Sequence, residues 1–494
     1  MIRSLLVANR GEIAVRIART CREMGVRSIL AFAEDERHAF PRRFFDEGAS
    51  LGPGEAGETY LGVGKIIDAA KRSGADAVHP GYGFLSERAE LAAACEEAGL
   101  VFVGPPAGAI EAMGSKAGAR TLMERLGVPV VPGYHGEEQS DARLAAEADR
   151  IGFPLLVKAS AGGGGKGMKV AFGRRDLAEA LASARREALR AFGDDRLLLE
   201  KLVEQPRHVE FQIFGDARGE IVHLFERDCS IQRRHQKVIE ETPAPRFTDD
   251  LRARMGESAL AAARGIGYRN AGTVEFILDP GGAYYFLEMN TRLQVEHPVT
   301  EMVLGVDLVR AQIETAGGAP LPWERGALRQ RGHAIEARIY AEDPDQGFLP
   351  QTGTLSRFDL PAGPGVRVDS GVGEGSEVTV RYDPMLAKVI AWGETRETSI
   401  DRLVRALEET VVFGVTTNAS YLRRVVRHPQ FRQGRVGTHF LTAHERDLHP
   451  PDPIEAAAVA AVLSAEARGA RSASPDEGAV VPSVWDLAGG WGRG

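Results

Sequence analysis

The first 110 residues alternate between two hydrophobic periods. Continuous apolar runs at residues 2–8 (IRSLLVA) and 26–32 (VRSILAF) are typical of buried strands. Residues 11–25, between them, carry apolar side chains at a partly helical spacing. Strands that alternate with helices in this way predict a parallel sheet with helices packed on its faces. The other elements predicted in this part are strands at residues 76–79 and 100–104 and helices at residues 61–74 and 87–99.

From residue 114 the pattern changes. Residues 153–172 (FPLLVKASAGGGGKGMKVAF) predict a strand, a glycine-rich loop and a second strand. Further strands are predicted at residues 197–203 and 208–216. Residues 221–241 predict one strand that runs into a basic stretch. The helices predicted in this part lie at residues 176–192, 251–267 and 305–318.

Residues 331–446 predict a third, mixed unit. Residues 332–343 (GHAIEARIYAED) alternate as a strand, and residues 398–410 (TSIDRLVRALEET) form an amphipathic helix. Residues 447–494 are rich in alanine, glycine and proline and contain no lysine. This composition predicts a short helix followed by poorly ordered chain.

Length and composition are those of a soluble protein with several domains. The 494 residues exceed one ordinary core, so two to four domains are expected. The net charge of −8 disfavours nucleic acid as the main partner. Cys21, Cys95 and Cys229 form no CxxC pair, which favours buried thiols in a reducing cytosol. Because the sequence shows neither a signal-peptide pattern nor an apolar run of about 18 residues, we expect a cytoplasmic protein with no membrane partner.

Groups suited to binding ions are densest in residues 285–301 (YFLEMNTRLQVEHPVTE). Glu288 and Asn290 project from the same face of an extended strand. Glu275 reaches that face if the two strands pair as a hairpin through residues 279–283. Two carboxylates and an amide oxygen form a hard ligand set that suits Mg²⁺ or Mn²⁺ shared with substrate phosphates. The alternative is a salt-bridged hairpin at a sheet edge.

Polar residues near this hairpin extend the candidate site. Arg292 and Glu296 follow it on a predicted loop and add one fixed cation and one potential base. Residues upstream add hydrogen-bond donors without any histidine spacing typical of zinc. These donors are His208, Gln232, His235 and Lys237.

The glycine run at residues 162–167 is a candidate phosphate site. Its glycines lack a Cβ atom, so their backbone N–H groups can approach a phosphate closely. It matches neither a Walker loop nor a dinucleotide turn, because it lies between two strands and Gly167 stands where Ser or Thr is required. Lys158 precedes it, and Ser115 can cap a helix that carries Lys116. A nucleotide flap and a simple flexible hairpin both fit this pattern.

Two turns in the first part bear on ligand binding. Residues 9–12 (NRGE) lack the three glycines of a dinucleotide site, which weighs against an NAD-dependent oxidoreductase. Residues 79–87 (HPGYGFLSE) follow a strand at its carboxyl end, where open sheets place ligands. Two interpretations of Tyr82 and Glu87 in that segment stay open: they contact a substrate, or they are ordinary loop residues.

Seven segments of the sequence, taken together, are specific enough to indicate a protein family. In this order, within residues 2–445, they resemble the biotin carboxylases, which are ATP-grasp enzymes found as subunits or domains of biotin-dependent carboxylases. The segments are residues 7–17 (VANRGEIAVRI), 79–87, 158–169 (KASAGGGGKGMK), 226–241 (ERDCSIQRRHQKVIEE), 288–301 (EMNTRLQVEHPVTE), 332–344 (GHAIEARIYAEDP) and 382–390 (YDPMLAKVI).

The resemblance implies a multidomain fold of α/β and α+β type. A Rossmann-like parallel sheet, the pre-ATP-grasp domain, would span residues 1–112. The ATP-grasp domain would span residues 113–328, with a glycine-rich lid at about residues 130–203. A mixed α+β biotin carboxylase C-terminal domain would span residues 329–446, followed by the tail of residues 447–494.

The resemblance also implies roles for individual residues. ATP contacts fall on Lys116, Lys158, Gly162, Gly163, Gly164, Gly165, Lys166, Gly167, Glu200, Lys201, Val203, His208, Gln232, His235 and Ile277. Ligands of Mg²⁺ or Mn²⁺, with two sites expected, fall on Glu275, Glu288 and Asn290. Bicarbonate contacts fall on Lys237, Arg292, Gln294 and Val295, and biotin contacts on Arg338 and Tyr82. The expected catalytic residues are Glu296, Arg292, Arg338 and Lys237.

The implied chemistry joins two poorly reactive molecules, bicarbonate and biotin. ATP would convert bicarbonate to carboxyphosphate, an activated but water-labile carboxyl donor. Glu296 would remove the bicarbonate proton, a role for which we expect a raised pKa. Arg338 would stabilise the ureido enolate of biotin, and the glycine flap would exclude water.

The resemblance implies partners as well. Family carriers hold biotin on a Met-Lys hairpin, and the Met-Lys pair here, Met168–Lys169, lies beside the glycine run. We therefore expect a homodimer that acts on a separate biotin carboxyl carrier protein, with carboxyltransferase subunits taking the product onward. The final acceptor stays open among acetyl-CoA, propionyl-CoA, methylcrotonyl-CoA and pyruvate, and residues 382–390 with the tail favour an acyl-CoA carboxylase such as acetyl-CoA carboxylase. The alternatives are a carbamoyl-phosphate synthetase-like ligase and an ATP-binding scaffold without turnover.

Overall fold

A computed structural model describes residues 2–159, 168–234, 236–324 and 326–450, and the side chains of residues 116, 117, 191 and 192 are not described. The described residues up to Leu448 form one compact unit. The predicted tail lies outside the described residues from residue 451 onward.

The N-terminal part contains strands β1 (Ser4–Val7), β2 (Arg27–Phe32), β3 (Glu47–Ser50), β4 (Ala77–His79) and β5 (Val101–Phe102), and helices α1 (Gly11–Met24), α2 (Val63–Arg72), α3 (Ala89–Glu97) and α4 (Ala107–Gly114). Short 3₁₀ helices lie at Glu34–Glu36, Phe40–Phe44 and Ala56–Glu58. The strands pair in parallel in the order β3-β2-β1-β4-β5. The predicted parallel sheet is confirmed. The sequence analysis missed β3 because its sequence, EGAS, has neither hydrophobic period.

A small antiparallel sheet follows, with strand order β6-β9-β7-β8. The strands of this sheet and the helices in this part of the chain are α5 (Lys116–Arg125), β6 (Gly133–Tyr134), α6 (Asp141–Ile151), β7 (Leu155–Ala159), β8 (Lys169–Ala171), α7 (Arg174–Phe192) and β9 (Leu197–Lys201). The hydroxyl of Ser115 accepts a hydrogen bond from the backbone N–H of Gly118, which confirms the predicted cap of α5. The strands that flank the glycine run are confirmed, whereas the run itself, Gly162 to Gly167, lies outside the described residues.

An antiparallel sheet carries most of the polar residues singled out above. Its strands are β10 (Arg207–Gly215), β11 (Ile221–Arg233), β12 (Gln236–Thr242), β13 (Asn270–Leu278), β14 (Tyr284–Asn290), β15 (His333–Tyr340), β20 (Val366–Ser370) and β22 (Met385–Gly393). Their order is β14-β13-β10-β11-β12-β15-β22-β20. The helices of the central part that follow β12 are α8 (Asp249–Gly265), α9 (His297–Leu304) and α10 (Leu308–Ala316).

The prediction of a single strand within residues 221–241 is wrong. The basic stretch continues into β12, which pairs with β11 as a hairpin in which Lys237 lies opposite Gln232. Charged residues explain the error. Lys237, Glu240 and Glu241 interrupt the apolar residues of β12, so the segment shows neither a continuous apolar run nor an alternation of apolar and polar residues, although its last five residues are buried.

The C-terminal part adds short strands and a helical layer. Its remaining elements are β16 (Glu342–Asp343), β17 (Leu349–Pro350), β18 (Gly353–Thr354), β19 (Arg357–Asp359), β21 (Glu377–Val378), β23 (Val411–Phe413), α11 (Arg396–Glu409), α12 (Ala419–Arg427), α13 (Pro429–Arg432), α14 (Phe440–Ala443) and α15 (Glu445–Leu448), with a 3₁₀ helix at Pro344–Gln346. The predicted amphipathic helix is α11. Its apolar face, including Leu403, packs with Ile335 of β15 and Val389 of β22 in one buried cluster.

Two sequence expectations can be compared with the described residues. Cys21, Cys95 and Cys229 are buried free thiols, as expected. No helix in the described part of the chain has the length and apolarity needed to cross a membrane.

Candidate active site

The hairpin of β13 and β14 brings the predicted metal ligands together. Glu275 pairs directly with Glu288 across the two strands, so the predicted pairing is confirmed. Asn290 donates a hydrogen bond from Nδ2 to Glu275 Oε1 at 2.8 Å. Glu275 and Asn290 are both buried, although β14 is the edge strand, so this is not an ordinary surface hairpin. The two carboxylates and the amide oxygen suit a hard divalent cation.

Lys237 of β12 joins three carboxylates from different segments. Its Nζ lies 2.6 Å from Glu210 Oε2, 2.8 Å from Glu275 Oε1 and 2.7 Å from Glu296 Oε1. Burial alone would lower the pKa of Lys237, but the three carboxylates hold it well above its ordinary value. Lys237 therefore stays charged. We call Lys237, Glu210, Glu275 and Glu296 the lysine cluster.

Glu210, which the sequence analysis missed, is shared with a second cation. Arg227 of β11 is fully buried, and its Nε donates to Glu210 Oε1 at 2.5 Å. Both residues lie in the centre of the sheet, on β10 and β11. A charged residue inside an otherwise apolar alternating strand, as in HVEFQIFGD, was the available signal.

Glu296 lies on the loop between β14 and α9, as predicted, and is fully buried. It accepts from Lys237 through Oε1 and from Arg338 Nη2 through Oε2, the latter at 2.9 Å. Burial alone would raise the pKa of Glu296, but Lys237, Arg338 and Arg227 hold it well below its ordinary value. The expectation of a raised pKa is therefore wrong for this structure, because two hydrogen-bonded cations outweigh desolvation. Glu296 is ionised in these surroundings.

Arg338 of β15 is buried, which excludes an ordinary surface arginine. Its Nη2 lies 2.5 Å from Glu240 Oε1 as well as 2.9 Å from Glu296 Oε2. Glu240 pairs across β12 and β15 with Glu336, neither of whose oxygens has a hydrogen-bond partner among the described residues. Burial raises the pKa of Glu240 to about 7 and that of Glu336 well above its ordinary value. The sequence analysis gave neither residue a role.

Arg292 anchors the start of the same loop. Its Nη1 donates to Gln294 Oε1 at 2.8 Å, and its Nη2 donates to Asn290 Oδ1 at 3.1 Å. Gln294 in turn donates to Glu275 Oε1 at 3.1 Å. The Nε of Arg292 lies 3.0 Å from Glu87 Oε2, so Glu87 is an ion-pair partner within the site. The loop that carries Arg292, Gln294, Val295 and Glu296 is thus tied to the acidic hairpin.

Tyr82 lies on the loop after β4 and donates its hydroxyl hydrogen bond to Glu12 Oε1. Burial is the main cause that raises the pKa of Tyr82 well above its ordinary value, followed by Glu12, while Arg338 acts in the opposite direction. Tyr82 therefore stays protonated.

The predicted nucleotide residues fall into two groups. His208 Nε2 lies 2.9 Å from Glu275 Oε2, its Nδ1 lies 2.7 Å from Gln232 Nε2, and it pairs across the sheet with Ile277. These three residues thus adjoin the lysine cluster. Although burial lowers the pKa of His208, Glu275 raises it above its ordinary value.

The second group lies in and after the small sheet. Lys158 forms an ion pair with Glu200, and Lys201 donates to the carbonyl oxygen of Phe153 at 2.5 Å. Val203 follows β9 and is half-buried. Within the described residues, no hydrogen bond or ion pair links Lys158, Glu200 or Lys201 to Lys237. His235 and Lys166 lie outside the described residues, and the side chain of Lys116 is not described.

Comparison with protein families covers most of the chain. A model described as biotin carboxylase, N-terminal domain, matches residues 1–110. A model described as carbamoyl-phosphate synthase L chain, ATP binding domain, matches residues 115–324. A model described as biotin carboxylase C-terminal domain matches residues 336–443.

Curated relatives agree with the family models. The alpha subunit of mitochondrial methylcrotonoyl-CoA carboxylase from Dictyostelium discoideum is 50% identical over 451 residues, which is 91% of this chain and 64% of that protein. The chain thus spans less than two thirds of that relative. One pyruvate carboxylase subunit of Methanothermobacter thermautotrophicus is 46% identical over 91% of both chains. Biotin carboxylase of Halalkalibacterium halodurans is 48% identical over 90% of this chain and 98% of that protein.

Solved structures share the fold. The biotin carboxylase domain dimer of Hydrogenobacter thermophilus 2-oxoglutarate carboxylase, solved with MgADP, ADP and bicarbonate, aligns with a TM-score of 0.85 at 43% identity. That alignment covers 92% of this chain and 100% of the other. Biotin carboxylase of Campylobacter jejuni, solved as a βγ-ATP complex, aligns with a TM-score of 0.85 at 41% identity over 90% and 99% of the two chains. The N-terminal parallel sheet, the central ATP-grasp region and the C-terminal α+β region form the three-part architecture of these proteins, and the chain belongs to the biotin carboxylase family.

Proposed function

We propose that this chain catalyses the ATP-dependent carboxylation of biotin by bicarbonate, with ADP, phosphate and carboxybiotin as products. The observation that carries the proposal is the buried placement of Glu296 between Lys237 and Arg338. The two cations can bind a small oxyanion, and the ionised carboxylate between them is in the protonation state that can accept its proton. The family relationship supports the same reaction.

ATP would bind between the small sheet and the lysine cluster. We assign phosphate contacts to Lys116, Lys158 and residues 162–167, and base and ribose contacts to the remaining residues of the nucleotide set. The Nε2 of Gln232 is hydrogen-bonded to His208 Nδ1 and to the carbonyl oxygen of Cys229, so these side chains of the nucleotide set are held in place. The related structures solved with ADP or an ATP analogue support this placement.

Glu275, Glu288 and Asn290 fit a pair of Mg²⁺ or Mn²⁺ ions, since all three offer oxygen ligands on one hairpin. Although burial alone would raise the pKa of Glu275, Lys237 and His208 hold it below its ordinary value, so Glu275 is ionised. When bound, such ions neutralise the phosphate charge during phosphoryl transfer.

Bicarbonate would lie on the loop after β14. We assign its contacts to Lys237, Arg292, Gln294 and Val295. Arg292 offers a planar guanidinium that can bind an oxyanion through two N–H groups. Its hydrogen bond to Gln294 holds the guanidinium against this loop. Glu296 would remove the bicarbonate proton, so that the resulting dianion attacks the terminal phosphate to form carboxyphosphate.

Biotin would be carboxylated beside Arg338 and Tyr82. Carboxyphosphate breakdown would release CO2 and phosphate, and the phosphate would take the proton from the biotin ureido nitrogen, which then attacks CO2 to form carboxybiotin. Arg338 would then stabilise the negative charge on the ureido oxygen. The ion pairs of Arg338 with Glu240 and Glu296 hold its guanidinium beside the proposed base, which supports this assignment.

The remaining assignments follow from the same proposal. We propose that the biotin is attached to a biotin carboxyl carrier protein, that carboxyltransferase subunits use the product, and that the chain forms a homodimer. The related structure described as a dimer supports the last point. We keep the domain limits of residues 112, 328 and 446 as proposals. We further propose an acyl-CoA as the final acceptor, the class named in the methylcrotonoyl-CoA carboxylase relatives.

The proposal predicts a specific substrate dependence of ATP cleavage. Purified protein with Mg²⁺ and ATP should release ADP at a rate that rises at least about tenfold when bicarbonate and free biotin are added together. Glu296→Gln should lose at least about a hundredfold of that rate, because the general base is removed. A coupled ADP assay and ¹⁴C-carboxybiotin formation measure both outcomes.

Two results would contradict this proposal. One is ADP release that depends on ammonia or glutamine instead of biotin, which would favour a carbamoyl-phosphate synthetase-like ligase. The other is ATP binding without any cleavage in the presence of bicarbonate and biotin, which would favour a scaffold. Glu241→Gln serves as the control, since Glu241 is a buried carboxylate in the same strand that pairs instead with Arg396 and His333.

A further inference from the structure

Residues 9–12, which the dinucleotide comparison left without a role, lie at a junction of three segments. Asn9 is buried, and its Nδ2 donates to the carbonyl oxygens of Pro80 and Tyr82, each at 2.7 Å. Glu12 is buried in the first turn of α1 and accepts from the Tyr82 hydroxyl. The turn after β1 therefore holds the loop that carries Tyr82.

Glu12 also binds a lysine from the C-terminal part. Lys388 of β22 is fully buried, and its Nζ lies 3.0 Å from Glu12 Oε1. Asp369 of β20 is the next carboxylate, at 3.9 Å. Burial alone would lower the pKa of Lys388, but Glu12 and then Glu336 and Asp369 hold it above its ordinary value. Lys388 is therefore a charged donor.

The second contact of Lys388 reaches the proposed bicarbonate loop. Its Nζ donates to the carbonyl oxygen of Val295 at 2.7 Å. Val295 stands between Gln294 and Glu296, so this bond fixes the peptide that joins two predicted site residues. Lys388 also pairs across β15 and β22 with Arg338. One buried amine thus connects the first turn of α1 with the bicarbonate loop, and its own strand pairs with the strand that carries Arg338.

We propose that Glu12 and Lys388 are positioning residues of the carboxylation site, with Lys388 fixing the Val295 carbonyl and Glu12 holding both Lys388 and the Tyr82 hydroxyl in place. The inference rests on the proposed function, since its readouts are the binding of bicarbonate and biotin. Substitution of one partner in a buried ion pair leaves the other charge unpaired, which by itself lowers stability. The test must therefore measure stability and substrate binding separately.

The first experiment measures steady-state kinetics of ADP formation. Lys388→Met should raise the KM for bicarbonate at least about tenfold, because the Val295 peptide loses its charged donor, while the KM for ATP stays within about twofold. Glu12→Gln should raise the KM for biotin as well as for bicarbonate, because the Tyr82 hydroxyl and Lys388 both lose their carboxylate. A merely structural pair would instead lower the active fraction, which reduces kcat at unchanged KM.

The double variant separates positioning from buried-charge strain. Glu12→Gln with Lys388→Met removes both charges, so its thermal midpoint should lie above that of the less stable single variant. Its KM for bicarbonate should stay as high as that of Lys388→Met, because the bond to Val295 is still absent. A double variant that regains the wild-type KM would overturn the inference.

The matched control lies on another buried pair of the same sheet. Arg396 of α11 contacts Glu241 of β12 at 2.6 Å, and neither residue touches the bicarbonate loop. Arg396→Met should lower the thermal midpoint and leave the KM for bicarbonate unchanged. Wild-type protein without biotin-dependent ADP formation would refute the proposed function, whereas active wild type with unchanged KM values in the Glu12 and Lys388 variants would refute only this inference.

Discussion

Buried carboxylates in this protein differ in charge state because the cations around them are shared unequally. Glu240 faces one close cation, Arg338, which Glu296 also engages. Its neighbour Glu241 points to the other face of β12, where Arg396 and His333 both bind it. Burial raises the pKa of Glu240 to about 7, whereas Arg396 and His333 overcome burial and lower that of Glu241 to about 2. Two adjacent glutamates therefore give opposite pH dependences of stability.

We predict that Glu240→Gln becomes more stable relative to wild type as the pH rises from about 5 to about 7. Folded Glu240 binds its proton more tightly than the unfolded chain, so wild-type stability falls as pH rises from the ordinary value of 4.5 to about 7. The glutamine variant lacks this fall, which is worth on the order of 3 kcal/mol for a shift of this size. The thermal midpoint measured across pH 5–8 checks the prediction.

The groups that face Glu240 and its partner Glu336 come from each neighbouring segment. They are Lys237 on β12, Cys229 on β11, Arg338 on β15, Lys388 on β22 and Glu296 before α9. Glu241→Gln is the contrast, because its deficit should be full above pH 4.5 and shrink as the pH falls toward 2. Parallel curves for both variants would contradict the assignment.

At the scale of elements, the sequence predicts those with a clear period and misses those without one. The alternating strand β15 and the amphipathic helix α11 follow directly from spacing. Strand β12 was missed because its charged residues, although partly buried in the sheet, leave neither an apolar run nor an alternation, and β3 because it is short and polar. The pairing of β13 with β14 was predictable from its tight turn, since residues 279–283 contain two glycines.

We predict that Leu403→Ala destabilises the C-terminal part by about 2–5 kcal/mol, because it removes a fully buried side chain from the core between α11 and the sheet. Urea unfolding followed by circular dichroism measures the loss. Arg405→Ala, at an exposed position on the same helix, should change stability by less than about 0.5 kcal/mol. Equal effects of the two substitutions would show that α11 does not bury this face.

At the scale of the molecule, the site is assembled from segments far apart in the chain. Lys237, Glu275 and Glu296 come from the central part, Arg338 and Lys388 from the C-terminal part. The family resemblance gave roles to Lys237, Glu275, Glu296 and Arg338. Its motifs contain the partners Glu12, Glu240 and Lys388 without giving them a role, and Glu210, a further partner, lies outside them. Such partners depend on strand register and on packing between distant segments, which hydrophobic period does not encode. The eight-stranded sheet crosses the proposed domain limit at residue 328, so the central and C-terminal parts share one backbone framework.

The N-terminal part joins this framework through a close backbone approach at Gly371, just after β20. A Cβ atom there would lie 2.3 Å from the Glu12 nitrogen and 2.4 Å from the Gly11 carbonyl carbon. Both atoms are backbone, so relief requires α1 to move away from β20 and takes Glu12 away from Lys388. We predict that Gly371→Ala lowers stability by about 1–3 kcal/mol through this overpacking.

The same substitution should raise the KM for bicarbonate, because Lys388 loses its carboxylate partner although no proposed substrate contact is changed. Gly64→Ala is the matched control, since α2 offers open space at that position and alanine favours a helix. It should leave the KM unchanged and hold or raise the thermal midpoint. If Gly371→Ala behaved like Gly64→Ala in both measurements, the N-terminal turn would have no part in shaping the site. If Gly371→Ala instead raised the KM and lowered the thermal midpoint, the result would show that the carboxylation site depends on packing between the two ends of the compact unit.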